Sequence, residues 1–141
     1  MGEFYETLVI LLRKLDKVEF AILGSYNLYL QGINIIPNDL DLITDDRGMS
    51  KIGKIFKSKI VLNESGYKET EFNINNVEVH VVSNINNKFR PPFRNDIVWL
   101  EKDDLKVPSM SLVSELSFYE KINRGKDKGK IELIQEKISK K

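Results

Sequence analysis

The sequence predicts an α/β (α+β) fold in which helices pack on a mixed β-sheet, and three observations support this prediction. Short apolar segments that favour strands alternate with amphipathic segments that favour helices. Two strictly alternating segments flank Asn75-Asn76, which is typical of a tight hairpin because asparagine tolerates positive φ. The length of 141 residues suits one domain. We therefore expect a single domain, 1–141, with a core over about 1–105 and a helical segment over about 108–141.

Predicted helices and strands alternate in the first half of the chain. Apolar residues at helical spacing define the first helix, and strict apolar–polar alternation defines the second strand. Gly24 ends the first strand, Ser25 can cap the following helix, and Gly32 ends that helix. The predicted elements are a helix over Glu3–Lys17, a strand over Val18–Leu23, a helix from Ser25 to about Gly32, a strand over Asp39–Thr44, a turn over Asp45–Gly48 and a helix over Met49–Lys59.

The second half begins with the predicted hairpin and ends with two helices. Between them lies a basic loop broken by prolines, and a polar stretch rich in glycine and lysine separates the helices. The predicted elements are strands over Gly66–Ile74 and Val77–Val82, a loop over Asn86–Asp96, a strand over Ile97–Glu101, a helix over Ser111–Ile122, an interruption over Asn123–Lys130 and a helix over Ile131–Lys140.

Composition excludes several classes of function. The 22 basic and 21 acidic residues give a net charge of +1, so no global charge argues for nucleic acid or an anionic membrane as partner. The absence of cysteine excludes disulfides and thiolate metal sites, and a single histidine excludes an all-imidazole zinc site. The apolar run Thr7–Leu12 is too short to cross a bilayer, and the N-terminus lacks a basic signal-peptide start. We expect a cytoplasmic protein without a membrane partner.

Two acidic residues occupy one face of the second predicted strand. Side chains two positions apart in a strand share a face, so Asp39 and Asp41 point together while Leu40 and Leu42 point away. Two neighbouring carboxylates repel each other unless a cation lies between them or one is protonated. Mg²⁺, or Mn²⁺ in its place, suits such a pair and leaves positions for phosphates. The alternative is a strand end with solvated charges.

A Gly-Ser pair lies between the first strand and the next helix. At such a turn, the backbone N–H groups of Gly24 and Ser25 and the start of the helix can bind phosphate. The alternative is an ordinary capped helix. Since the turn and the acidic strand are neighbouring elements, an anion site and a cation site can meet there.

A third polar side chain is expected from the hairpin. Glu78 and His80 share one face of its second strand, and either can reach the acidic pair if the strands are adjacent. A carboxylate is a good ligand for magnesium, whereas an imidazole is a poor one. We therefore assign metal binding to Glu78 and proton transfer or hydrogen bonding to His80. Glu71 and Asn73 continue this polar face, so the alternative is a solvated strand face.

The basic loop combines cations with aromatic rings. Lys88, Arg90 and Arg94 are interleaved with Phe89 and Phe93, a mixture that can contact phosphates and stack on a base. We expect the loop to border the cleft. The alternative is a surface loop whose phenylalanines anchor it to the body of the domain.

In these motifs the chain resembles the polymerase-β-like nucleotidyltransferase superfamily. The matching segments are "FAILGS", "NDLDLIT" and "VEVHVV", and they resemble most the small stand-alone prokaryotic type, including aminoglycoside and lincosamide nucleotidyltransferases. The segment Leu116–Ile134 is similar to the helix–turn–helix that follows the core in many of these proteins. In it, Lys121, Arg124, Lys126 and Asp127 match positions near the nucleotide or in helix packing. The alternative is a polar turn between helices.

The resemblance implies a nucleotidyltransferase-like fold and a two-metal reaction. Magnesium ions held by Asp39, Asp41 and Glu78 would bridge the triphosphate and the attacking oxygen. The nucleotide, for example ATP, would contact Gly24, Ser25, Lys121, Arg124 and Lys126. From the composition of the basic loop, we expect Arg90 and Arg94 to contact it as well. A nucleoside monophosphate would pass to an acceptor hydroxyl with release of pyrophosphate.

The acceptor is left open between a small molecule, a protein and an RNA end. The alternative function is a noncatalytic nucleotide-binding or regulatory module of a two-component, toxin–antitoxin-like system. The chain is short for an enzyme that must also recognise an acceptor. This favours a homodimer or a helical partner protein.

Overall fold

The computed structural model describes residues 2–90 and 92–140, so Met1, Pro91 and Lys141 of the predicted domain lie outside the described residues. The described chain forms five α-helices and seven strands. The helices are α1 (Gly2–Lys14), α2 (Gly24–Leu30), α3 (Asp46–Phe56), α4 (Leu112–Ile122) and α5 (Lys128–Ser139). The strands are β1 (Phe20–Leu23), β2 (Leu40–Thr44), β3 (Val61–Leu62), β4 (Lys68–Ile74), β5 (Val77–Ser83), β6 (Ile97–Lys102) and β7 (Leu105–Met110).

The seven strands form one mixed sheet in the order β3-β4-β5-β2-β1-β7-β6. β1 lies antiparallel to β2 and parallel to β7, while β2 and β5 are parallel. The outer pairs β3–β4, β4–β5 and β6–β7 are antiparallel. This arrangement confirms the predicted mixed sheet with helices packed on it. No helix in the described part of the chain is both long and apolar enough to cross a bilayer.

The two faces of the sheet are covered differently. On one face, apolar residues of α1 and α3 pack against Leu40, Leu42, Val79 and Val81 in the largest core cluster. A smaller cluster around Phe93 contains residues of β1, β2 and β7 on the opposite side. A third cluster joins α2 to α4 and α5. The C-terminal helices therefore pack on the helix that follows β1, and this position matters for the site.

The predicted hairpin is confirmed, and α3 begins earlier than predicted. Asn75 and Asn76 have φ of 50° and 67°, the positive values that a tight hairpin turn requires. α3 starts at Asp46, within the predicted turn, because Asp45 accepts a hydrogen bond from the Gly48 N–H at 2.7 Å and caps the helix. α5 likewise begins at Lys128 and takes in the end of the predicted interruption.

Two strands were not predicted. β3 is only two residues long, and β7 contains Pro108, which lacks the N–H that a central strand donates. β7 is tolerated between two neighbours because its pairing with β1 is confined to Ile22 and Ser109. Asp103 and Asp104, with φ of 49° and 69°, form the turn that joins β6 to β7. The sheet therefore extends past the core boundary predicted near residue 105.

Candidate functional site

A cleft of about 350 Å³ opens where β1, β2 and β5 meet the turn between α4 and α5. Its lining includes the Gly24-Ser25 turn, both predicted carboxylates Asp39 and Asp41, and His80. The structure thus brings together residues from three strands and from the C-terminal helices.

Asp39 and Asp41 flank the first residue of β2 and both border the cleft. Leu40 is fully buried on the other face of the sheet, as the alternation predicts. Partial burial and the neighbouring Asp41 charge raise the pKa of Asp39 to about 6, against the opposing effects of His80 and Lys130. The raised pKa means that the negative charge at this end of β2 is not fully compensated by the protein.

His80 lies directly beside Asp41, because the parallel register of β2 and β5 pairs these two residues. Its Nδ1 is 3.7 Å from Asp41 Oδ1, and its Nε2 is 3.4 Å from Glu69 Oε2. The Asp41 contact is an ion pair, since 3.7 Å is too long for a hydrogen bond. The Asp41 carboxylate raises the pKa of His80 to about 9. Glu69 also raises this pKa, whereas burial of the imidazole lowers it. His80 is therefore protonated at neutral pH.

Glu78 lies on the same face of β5 but does not line the cleft. It is exposed and opposite Asn73, and the adjacent Glu71 raises the pKa of its carboxyl. The structure consequently places His80, and not Glu78, next to Asp41. Among residues 2–90 and 92–140, no three histidine or acidic side chains are grouped closely enough to hold a metal ion together.

The Gly24 turn differs from its prediction. The Gly24 N–H is not free, because it donates to the carboxylate Oε2 of Glu115 at 2.7 Å. The prediction that Ser25 caps α2 is wrong, since the helix starts at Gly24 and no side chain caps it. Ser25 Oγ instead accepts a hydrogen bond from the Asn38 N–H at 3.3 Å. Both Gly24 and Ser25 nevertheless line the cleft.

A glycine is required at position 24, because Asp41 of the acidic strand lies against its backbone. Its φ is +78°, and a Cβ atom built there would lie 2.3 Å from Asp41 Oδ2. A side chain at this position would displace the carboxylate, so the backbone of the turn fixes one boundary of the space that Asp41 can occupy.

Three cations of the C-terminal segment line the cleft opposite the carboxylates. Arg124 and Lys126 were predicted, and Lys130 was not. Asp127 is fully buried and lies 2.6 Å from Arg124 Nε and 3.6 Å from Lys130 Nζ. Asp127 therefore helps to fix the positions of these two cations. Lys121 is exposed on α4 and lies outside the cleft lining.

The basic loop divides between two regions of the molecule. Arg90 lines the cleft but is buried, with its guanidinium 3.7 Å from the ring centre of Phe118. Arg94 lies away from the cleft and pairs with Glu19 and Asp45. The expectation that the loop borders the cleft thus holds for Arg90 and not for Arg94.

Two further acidic residues, Glu115 and Glu69, make contacts near the cleft that the sequence does not predict. Glu115 follows Leu112 and precedes Tyr119 at helical spacing, so a carboxylate on the apolar face of α4 was a usable signal of a buried partner. Glu69 belongs to the polar face of β4, where its contact with His80 depends on strand pairing that no local pattern reveals.

The donor set suits a hard divalent cation. Asp39 and Asp41 offer carboxylate oxygens on one side of a cleft, and the raised pKa of Asp39 shows that added positive charge would be favourable there. Magnesium commonly binds through one or two carboxylates and completes its shell with water and phosphate oxygens. The two residues therefore fit one such ion. His80 does not fit as a ligand to it, because an imidazole is a poor ligand for magnesium and both ring nitrogens of His80 face carboxylates.

Comparison with known proteins identifies the fold. No protein-family model and no curated protein sequence matches the chain. One similar solved structure is a Thermotoga maritima protein whose assignment as a nucleotidyltransferase is itself a proposal. It has a TM-score of 0.74 and 21% identity, with 99% of this chain and 95% of that chain covered. Another is the lincosamide antibiotic adenylyltransferase LnuA with lincomycin bound. It has a TM-score of 0.65 and 17% identity, with 95% of each chain covered. The resemblance inferred from the motifs is confirmed at the level of the fold.

Proposed function

We propose that this protein is a metal-dependent nucleotidyltransferase, which moves a nucleoside monophosphate from a nucleoside triphosphate to an acceptor hydroxyl. The observation that carries the proposal is the convergence of Asp39 and Asp41 on one cleft against the Gly24 turn. The shared fold with two structures described as nucleotidyltransferases supports it.

The acidic end of the cleft would hold Mg²⁺ or Mn²⁺. Asp39 and Asp41 supply the carboxylate oxygens, and a metal bound there would offset phosphate charge and acidify the acceptor hydroxyl. Its proton would leave to a carboxylate or to solvent as the acceptor oxygen bonds to the α-phosphorus. The bond from that phosphorus to the bridging oxygen breaks, and pyrophosphate departs.

His80 is the better candidate for the third position, since Glu78 lies outside the cleft. The ring nitrogens of His80 face the carboxylates of Asp41 and Glu69, so neither is free to take the acceptor's proton. His80 lies between Asp41 and Glu69, and we assign it the role of orienting the Asp41 carboxylate.

The basic side of the cleft would bind the triphosphate. Arg124, Lys126 and Lys130 line the same cleft as the carboxylates, and cations that share a cleft with a metal site stabilise phosphate charge. The buried Asp127 keeps Arg124 and Lys130 in place. Catalysis would then rest mainly on positioning and on charge stabilisation.

Pyrophosphate release tests the proposal. The protein is incubated with each of the four common nucleoside triphosphates, with Mg²⁺ or Mn²⁺ and a panel of acceptors: aminoglycosides, lincosamides, RNA ends and protein hydroxyls. We expect metal-dependent release with at least one acceptor, and none from Asp39→Asn or Asp41→Asn. Metal-dependent nucleotide binding without release for any acceptor would instead indicate a noncatalytic nucleotide-binding module.

A further inference from the structure

A buried ion pair beside the cleft joins α4 to the basic loop. Glu115 is 0% exposed and Arg90 is 3% exposed. Their atoms Oε1 and Nη1 are 2.8 Å apart, in a contact made by charge and not by an aligned hydrogen bond. Burying two charges is costly, and such a pair persists only when its remaining groups are also satisfied. The other oxygen of Glu115 is therefore informative.

That second oxygen binds the first turn of α2. Glu115 Oε2 accepts hydrogen bonds from the Gly24 N–H at 2.7 Å and from Asn27 Nδ2 at 2.9 Å. Asn27 Nδ2 is also 2.9 Å from the carbonyl oxygen of Met110 at the end of β7. The carboxylate of α4 thus fixes the turn that begins α2, from a position 91 residues away along the chain.

When Glu115 holds the turn, the Gly24 backbone limits where the Asp41 carboxylate can lie. The space where a Gly24 side chain would begin is filled by Asp41 Oδ2. A shift of the Gly24 backbone would therefore change where this carboxylate lies relative to Asp39. Hydrogen bonds to ionised carboxylates are shorter and stronger than neutral ones, so Glu115 holds the turn more firmly than a neutral acceptor would.

We propose that Glu115 is a positioning residue, which holds the Gly24 turn against Asp41 and so sets the geometry of the acidic pair. This rests on the proposed function in that the acidic pair is the metal–nucleotide site. Arg90 compensates the Glu115 charge and is itself held on the face of Phe118. Arg90 thus acts on the site through Glu115, in contrast to the direct nucleotide contact that its sequence position predicts.

The test compares two variants of Glu115 with a matched control. Arg90→Gln/Glu115→Gln replaces the ion pair by a neutral pair of similar shape, so no charge is left buried alone. Glu115→Asp keeps the charge that Arg90 needs but is one methylene shorter and loses its reach to Gly24. Glu115→Asp can still decide the test if the double variant does not fold. Glu120→Gln, at an exposed position on the same helix, is the control.

The first readout is NMR of the ligand-free proteins. A direct contact between Arg90 and nucleotide cannot contribute to it. We expect the Gly24 amide proton to move upfield in both Glu115 variants, because it loses a charged acceptor, and the Asp41 carboxyl carbon resonance to move with it. The second readout is the affinity for ATP with Mg²⁺. It should fall about 10- to 100-fold, the usual effect of losing a residue that orients a metal ligand. Glu120→Gln should change neither.

An Asp41 resonance that stays in place would overturn the proposal, and so would an unchanged affinity despite a moved Gly24 amide. If the wild-type protein binds none of the four triphosphates with Mg²⁺, the proposed function fails. The Asp41 resonance then decides alone whether Glu115 positions this carboxylate.

Discussion

The two ends of β2 both carry carboxylates, yet their electrostatics are opposite. Before the strand, burial and the neighbouring Asp41 charge raise the pKa of Asp39 to about 6. After it, partial burial also acts to raise the pKa of Asp45, but the Gly48 N–H and the Arg94 guanidinium lower it overall. The protein thus stabilises the ionised carboxylate of Asp45 after the strand, but not that of Asp39 before it. The arrangement at Asp39 is what a site for an added cation requires.

The largest expected effect is that substitutions at the cleft end of β2, and not at its other end, abolish stabilisation of the protein by metal and nucleotide. A ligand that binds only the folded state raises the thermal midpoint, so Mg²⁺ with ATP should raise it for the wild-type protein. Asp39→Asn and Asp41→Asn should remove this shift, while Asp45→Asn should keep it. Differential scanning fluorimetry with and without EDTA measures all three. Equal shifts in the three variants would show that the cation does not bind at Asp39 and Asp41.

Gly24→Ala should come next, because it combines backbone strain with a collision. The left-handed backbone alone costs an alanine roughly 1–2 kcal/mol. Gly66→Ala is the control, since Gly66 has φ of +96° but nothing within 4 Å of an added Cβ. Urea unfolding should show a loss of stability in both variants, larger for Gly24→Ala. Only Gly24→Ala should also weaken magnesium-dependent nucleotide binding; the same weakening in both would remove the argument from the Asp41 contact.

The third prediction separates the two candidates on β5. His80→Gln should weaken affinity for ATP with Mg²⁺ by about tenfold, because Asp41 loses an orienting partner. Glu78→Gln should leave the affinity unchanged, since Glu78 lies outside the cleft. Isothermal titration calorimetry of both variants checks this. Loss of metal binding in Glu78→Gln alone would restore the role that the sequence assigns to Glu78.

The smallest effects are expected on the metal-free protein, and they should differ in sign. Asp45→Asn should lower the free energy of unfolding by about 1 kcal/mol or less, because asparagine still caps α3 but loses the ion pair with Arg94. Asp39→Asn should raise it slightly, because it removes one member of a like-charge pair. Urea unfolding in EDTA at neutral pH provides both values. Changes of the same sign would contradict the contrast between the two ends of β2.

Local patterns predict the acidic end of β2 but not its neighbours. Alternation places Asp39 and Asp41 on one face, and Asn75-Asn76 predicts the hairpin, because both signals lie within a few residues. The choice between Glu78 and His80 depends on the stagger of β5 against β2. That stagger is set by the packing of two strands far apart in sequence, which one strand's pattern does not contain.

The basic loop shows the same limit. Arg90 and Arg94 are equivalent by composition, but one is buried against Glu115 and the other pairs with Glu19 and Asp45. Their partners come from α4, from the residue before β1 and from the residue after β2, so only the tertiary fold distinguishes them. Likewise, Pro108 argues against a central strand, and the structure accommodates β7 between β1 and β6 because its pairing with β1 is confined to Ile22 and Ser109.

The hydrogen bond between Gly24 and Glu115 also constrains how the protein can be made. Gly24 is synthesised long before Glu115, so their hydrogen bond cannot form until α4 has been made. Similarly, β1 cannot pair with its parallel neighbour β7 until β7 has been synthesised. Such long-range contacts form late, because the entropy of closing the intervening loop is lost before the contact is gained. The cleft is therefore among the last parts of the fold to be completed on the ribosome. A nascent chain that still lacks α4 contains Asp39 and Asp41 but not Glu115, which holds the Gly24 turn against Asp41.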